Sequence, residues 1–276
     1  MTTATPARTW ARSATRPEPG YGFRSAARME WLKLRSVRST GWVLLVFAAG
    51  MIGLAILVMI HQHWATMSAP DRASFDPTEL SFAGLSIGQL ALGVLGALVI
   101  TTEFSSGMIR ATLAAVPRRP LLLAAKAAVL GAVTLVAGEI FAFAAFAVGE
   151  LVLKSPAPHA TLGQPGVLRA VLMAGAYPAL IALIALGLGA VIRHTAGAIS
   201  AVVGILFVLP LILLPLGESV QNSVGQFMPM LIAENSLTAV KAQSHTLSPG
   251  IGFGVLCLYA VVALAVGTWA LVRRDA

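Results

Sequence analysis

The sequence predicts an all-α integral membrane protein with six transmembrane helices. Only 11% of its 276 residues are charged, whereas 57% are hydrophobic. Uncharged stretches of about 20 residues, the length that crosses a bilayer as a helix, recur six times. Segments such as Gly41 to Gly50 (GWVLLVFAAG) are apolar all round, leaving no face for water, which excludes a soluble core helix.

Residues 1–22 are rich in Thr, Ala, Arg and Pro and carry no apolar run, so a disordered cytoplasmic tail without a cleavable signal peptide is expected. Over 23–39, Phe23, Ala27, Trp31 and Leu34 recur at helical spacing among Arg24, Arg28, Arg35 and Arg38, the pattern of an amphipathic interface helix. A plain positively charged anchor for the first span fits the same residues. The six-helix domain then fills 40–273, with spans at about 41–60, 80–101, 127–151, 167–192, 196–216 and 250–272. Each span satisfies its own backbone, as lipid requires. Tyr177-Pro178 should kink the fourth span, and Pro210 and Pro215 the fifth. The mixed segment 217–249 is expected to form short helices that dip partway into the membrane, which gives Met228, Met230, Leu231 and Ile232 a reason to be apolar. Cys257, the lone cysteine, lies inside the sixth span and excludes an intramolecular disulfide.

Basic residues set the orientation. With both termini cytoplasmic, fifteen of the nineteen Lys and Arg fall inside, leaving Arg72, Lys154, Arg169 and Lys241 outside. The net charge of +8 thus sits at membrane edges, facing anionic headgroups rather than nucleic acid. Trp42, Trp64 and Trp269 fall near span ends, where aromatic belts lie.

The inside connection Thr102 to Pro120 (TEFSSGMIRATLAAVPRRP), continuing to Lys126, is the longest cytoplasmic connection between spans and is not a casual linker. Ser105 or Ser106 is expected to cap a short helix over Met108 to Val116, and Pro117 to stop it. This block, together with Met29 to Ser39 (MEWLKLRSVRS) and Ala124-Ala-Lys126, resembles the permease subunit of bacterial ATP-binding-cassette exporters of the type 2 family. The resemblance extends through the six-span order to Phe227-Met-Pro-Met-Leu231; Met108 departs from it, since such permeases commonly carry a small polar residue there. It implies a cytoplasmic coupling helix that docks on a separate ATPase subunit, with contacts from Glu103, Gly107, Arg110, Pro117, Arg118 and Arg119 and with Lys126 toward lipid. It also implies a second permease chain, identical or related, a bacterial cytoplasmic membrane location, and ATP and Mg bound by the partner rather than by this chain. No Gly-x4-Gly-Lys-Ser/Thr loop occurs in the sequence, so ATPase activity is expected to reside in that partner. Apolar spans favour a hydrophobic or amphipathic cargo such as a drug, lipid or peptide.

Two intramembrane polar residues stand out. A carboxylate at Glu139, some 20 Å along the third span, is expensive in lipid and suggests a pathway role, a proton site, or a packing bond to the fourth span through Tyr177. Gly84-Leu-Ser-Ile-Gly88 matches a serine-nucleophile pattern, but all five histidines fall in loops or at span ends, and the plainer reading is a small-residue helix contact. His61 and His63 with Asp71 and Asp76 could form an outer metal site, although their spacing does not align both imidazoles. A passive channel or structural membrane protein is the remaining alternative; neither needs a docking helix.

Overall fold

The computed structural model describes residues 22–239 and 247–274. The expected disordered tail, Gly22 apart, and Lys241 and His245 lie outside the described residues. The rest forms α1 (Phe23–Ser36), α2 (Arg38–Ile60), α3 (Ala69–Ser74), α4 (Pro77–Ser81), α5 (Leu85–Ser105), α6 (Met108–Ala115), α7 (Arg119–Val152), α8 (Val167–Ile192), α9 (Thr195–Val203), α10 (Leu209–Leu213), α11 (Glu218–Val224), α12 (Pro229–Leu237) and α13 (Pro249–Arg273), with no strand among the described residues. Among the described residues, six helical runs are long and apolar enough to cross a membrane: α2, α5, α7, α8, the composite Thr195–Leu216, and α13.

The α8 helix is the hub, packing on α5, α7 and α13. Small residues make this possible: a Cβ on Gly96 would lie 2.1 Å from the Ala182 carbonyl oxygen, and one on Gly138 would lie 2.1 Å from that of Gly175. Backbones in contact gain dispersion energy that lipid cannot offer, which is how spans associate without a hydrophobic drive. The Gly84 to Gly88 motif serves the same end, since a Cβ on Gly84 would meet the Gly50 carbonyl of α2 at 2.3 Å. Its surroundings are a helix crossing.

Several helix limits differ from expectation for identifiable reasons. The α5 helix begins at Leu85 because Asp76 caps a separate short helix, α4, accepting from Thr78 N at 2.9 Å. It runs on to Ser105 and so includes Glu103, while α7 starts at Arg119, well before the first uncharged residue of its span. Both extensions carry charges that the protein itself satisfies. The interface segment breaks at Val37, whose extended backbone separates α1 from α2. Of its expected apolar stripe, Leu34 enters the core while Phe23 and Trp31 stay exposed; the face that meets the protein is Ala26, Glu30 and Leu34.

Pro178 sits inside an uninterrupted α8. The fifth span is instead interrupted: a π turn at Gly204–Val208 precedes Pro210, and a 3-10 turn spans Leu214–Leu216. Proline gives the carbonyl four residues earlier no N–H partner, and the widened turn absorbs the mismatch. Beyond it come the short helices α11 and α12, with Met228 and Ile232 buried and Leu231 exposed.

Candidate functional site

Four charged side chains from three helices, α1, α5 and α7, meet at one end of the bundle. Lys126, seven residues into α7, has a side chain with no solvent exposure. Its Nζ donates to Glu30 Oε2 of α1 at 2.7 Å, to Glu103 Oε1 of α5 at 2.5 Å and to the Val99 carbonyl at 3.4 Å. Lys33 of α1 donates to Glu103 Oε1 at 2.8 Å, to Glu30 Oε1 at 3.2 Å and to Thr112 Oγ1 of α6 at 3.2 Å. Two ammonium groups and two carboxylates balance, and all six ammonium protons are committed. Burial alone would lower the Lys33 pKa, but the hydrogen bond that Lys33 donates to Glu103 and the charges of Glu30 and Glu103 outweigh it and hold Lys33 above its ordinary value. Glu103 Oε2 is buried without a partner among the described residues.

This ionic joint carries α6. A tight turn places Gly107 in the left-handed region at φ 72°, which a residue with a Cβ adopts at a cost. Gly107 is therefore the N-cap, and the serines expected there do something else: Ser105 and Ser106 hydroxyls donate to the Thr102 carbonyl at 3.2 and 2.7 Å. The helix ends at Ala115, just before Val116 and Pro117. Ile109 and Val116 bury against Ala26, Leu122 and Ala125, while Met108, Arg110, Pro117 and Arg118 remain exposed. Arg110 and Arg118 make no hydrogen bond or ion pair among the described residues. The result is a short helix fixed on one side and free on the other.

Arg119 belongs to a different contact. Its Nη1 donates to the Leu271 carbonyl at 2.6 Å and the Arg274 carbonyl at 3.2 Å, and Arg193 Nη2 donates to the Ala270 and Arg274 carbonyls at 3.1 and 3.0 Å. Both guanidinium groups satisfy the orphan carbonyls at the end of α13 and oppose its dipole.

A family model described as "ABC-2 family transporter protein" matches residues 26–211, from α1 into the fifth span. The chain belongs to the ABC-2 transporter family. A comparison with curated proteins finds no match.

In this ABC-2 permease the expected residues separate into two groups. Gly107, Arg110, Pro117 and Arg118 are exposed on α6 and at its two ends. Glu103 and Lys126 are enclosed, so Lys126 is not the lipid contact expected for it: its charge is spent on Glu30 and Glu103. Glu30, Lys33 and Thr112 are members of this cluster that the sequence reading missed. The one local signal was Glu30 and Lys33 at i, i+3, a spacing that pairs charges on any helix.

Deeper in the bundle, Glu139 lies over Gly175, where a Cβ would fall 2.6 Å from its Cδ. The expected bond to Tyr177 is absent: Glu139 Oε2 has no partner among the described residues, and the Tyr177 hydroxyl donates instead to Gln89 Oε1 of α5 at 2.5 Å. Gln89 was also missed, since an amide in a span has no partner that spacing can name. At the far end, Asp76 ties α4 to the chain beyond α12 by accepting from Ala239 N at 2.6 Å. His61 Nδ1 lies 2.7 Å from the Leu57 carbonyl, and Asp71 accepts from the Ser68 hydroxyl at 2.6 Å, so the supposed metal ligands serve local bonds. Among the described residues no group of three or more His, Cys, Asp or Glu is placed to hold a metal.

Proposed function

We propose that this ABC-2 permease is the membrane subunit of an ATP-driven exporter in a bacterial cytoplasmic membrane, with both termini and α6 on the cytoplasmic side. The observation that carries the reading is the mount of α6. A helix with Met108 and Arg110 outward, followed by the exposed Arg118 just past its end, and with its inward face locked to α1 and α7, can receive a push without folding away. Closure of a separate ATPase subunit, which holds ATP and Mg, would move α6; the joint at Glu103 and Lys126 would pass that motion to α5 and α7 as rigid bodies. Gly107, Arg110, Pro117 and Arg118 are the motor-facing residues in this reading, and Arg110 and Arg118 suit acidic groups there. Glu103 acts as a positioning residue behind them, and Arg119 as an anchor for α13. A second permease chain completes the pathway, and the apolar spans suit a hydrophobic or amphipathic cargo.

The test is affinity purification of the tagged chain in mild detergent, with identification of co-purifying proteins and an ATPase assay. A stoichiometric ATP-binding subunit is expected. Arg110→Glu should lower its recovery or abolish stimulation of ATPase activity by cargo, while leaving the permease folded. A permease that never retains an ATPase, or one indifferent to Arg110→Glu, would sink this assignment.

A further inference from the structure

The end of the bundle remote from α6 holds a cavity of about 210 Å³ between α4, α5, α8 and α12. Its polar and apolar walls are segregated. Leu80, Phe82, Met230 and Leu237 provide a greasy lining, while the Glu79 and Glu234 carboxylates lie at its exposed margin. Gln89 and Tyr177, both almost fully buried, form the part that reaches into the bundle.

Charge and hydrogen bonding at this cavity are both incomplete. Neither Glu79 nor Glu234 forms an ion pair among the described residues, and Arg169, at the end of α12, spends a guanidinium nitrogen on the Thr238 carbonyl at 2.7 Å. Burial, the neighbouring Asp76 and Glu234 push the Glu79 carboxyl above its usual range, and burial does the same to Glu234. Two carboxylates thus share one opening without a cation among the described residues. Gln89, 1% exposed, uses its carbonyl oxygen for the Tyr177 hydroxyl, and its amide nitrogen has no partner among the described residues. Gln89 is one of the residues that line the cavity, together with its partner Tyr177.

We propose that this cavity binds a small organic cation, an ammonium group set beside a hydrogen-bond acceptor on an apolar body. The ammonium lies between Glu79 and Glu234, the acceptor takes the Gln89 N–H, and the apolar part fills the space between Phe82, Met230 and Leu237. A bare metal ion would leave the apolar wall and Gln89 unused; a neutral lipid tail would leave the two carboxylates unbalanced. The inference rests on the exporter reading only where it names the cargo class as cationic and amphipathic. The ammonium could come from a free amine or from an ethanolamine lipid headgroup, since both offer the same N–H donors.

The experiment uses the full chain alone in phosphatidylcholine nanodiscs, with signal from empty discs subtracted. The probe is phenylalaninamide, and the comparator is 3-phenylpropanamide, the same skeleton without the ammonium. Calorimetric titration should show phenylalaninamide binding at least tenfold more tightly than the comparator, with a further tenfold loss in Glu79→Gln/Glu234→Gln. Equal binding of the two compounds to the unaltered protein, or unchanged binding by a folded double variant, overturns the proposal. Titration in discs containing phosphatidylethanolamine separates the sources: weaker phenylalaninamide binding identifies the headgroup as the resident ligand, and unchanged binding identifies a free amine. No motor subunit is present, so a negative result here leaves the coupling assignment standing, and loss of the motor would leave this one standing.

Discussion

The two ends of α5 solve the problem of a carboxylate near a membrane in opposite ways. At the Ser105 end, Glu103 is buried among ammonium groups from α1 and α7, with Lys126 fully enclosed and Lys33 partly exposed. At the Leu85 end, Glu79 and Glu234 border a cavity with no cation of the described chain beside them. The difference teaches that these charges do different work. Matched, largely buried charges fix the register of three helices, because shifting any one strands the others. Unmatched charges at an open site destabilise the resting protein slightly and leave free energy to be recovered when a ligand arrives. One end is built to stay shut, and the other to be filled.

The largest break in this contrast comes from Lys126→Met. It leaves two buried carboxylates with only Lys33 between them and should cost about 3–5 kcal/mol, enough to lose the monodisperse species in gel filtration. Adding Glu30→Gln and Glu103→Gln to Lys126→Met should restore part of the loss. If Lys126→Met alone is as stable as the parent, the joint does not hold the helices. Next is Asp76→Ala, which removes the α4 cap and strands the Ala239 N–H. Thermal unfolding should register a loss of about 1–3 kcal/mol, confined to the α4/α12 end in hydrogen exchange. Glu139→Gln sits between the two regions. It keeps shape and removes charge, so transport into inverted vesicles should fall while the melting temperature holds; intact transport would assign Glu139 to packing against Gly175.

The smallest effect sharpens the comparison by its sign. Because Glu79 titrates above its usual range, the fold favours its protonated form. The resulting penalty is absent below the unfolded value of about 4.3 and grows as pH rises through the raised folded value. Glu79→Gln should therefore raise the melting temperature at pH 7 and do nothing below about pH 4. A stabilisation that persists in acid would mean that the glutamine acts by something other than charge.

The spans were legible because absence of charge over twenty residues has one physical meaning. What stayed hidden lies where charges are present but paired. Arg119 and Lys126 read as residues that must stay outside a membrane helix, whereas α7 contains both, since the α13 carbonyls neutralise one and two glutamates the other. Pairing between Glu30 and Lys126 joins positions 96 residues apart. Nothing in local periodicity encodes that. The exposure of Arg110 on α6 and of Arg118 beyond its end was legible because neither residue takes a partner among the described residues. The Gly107 turn was visible only as an N-terminal signal, and the cap was assigned to the wrong residues because serine is the commoner choice.

The order in which the joint's members are synthesised gives it a further role. Glu30 emerges first and Glu103 second, and Lys126 arrives only with the third span. An ammonium seven residues into an apolar helix resists entering the bilayer until an acid neutralises it. Stable seating of α7 therefore waits on correct placement of both α1 and α5, and a nascent chain that misplaces either presents an unpaired charge to the lipid, a defect that quality-control proteases can read before the later spans are made.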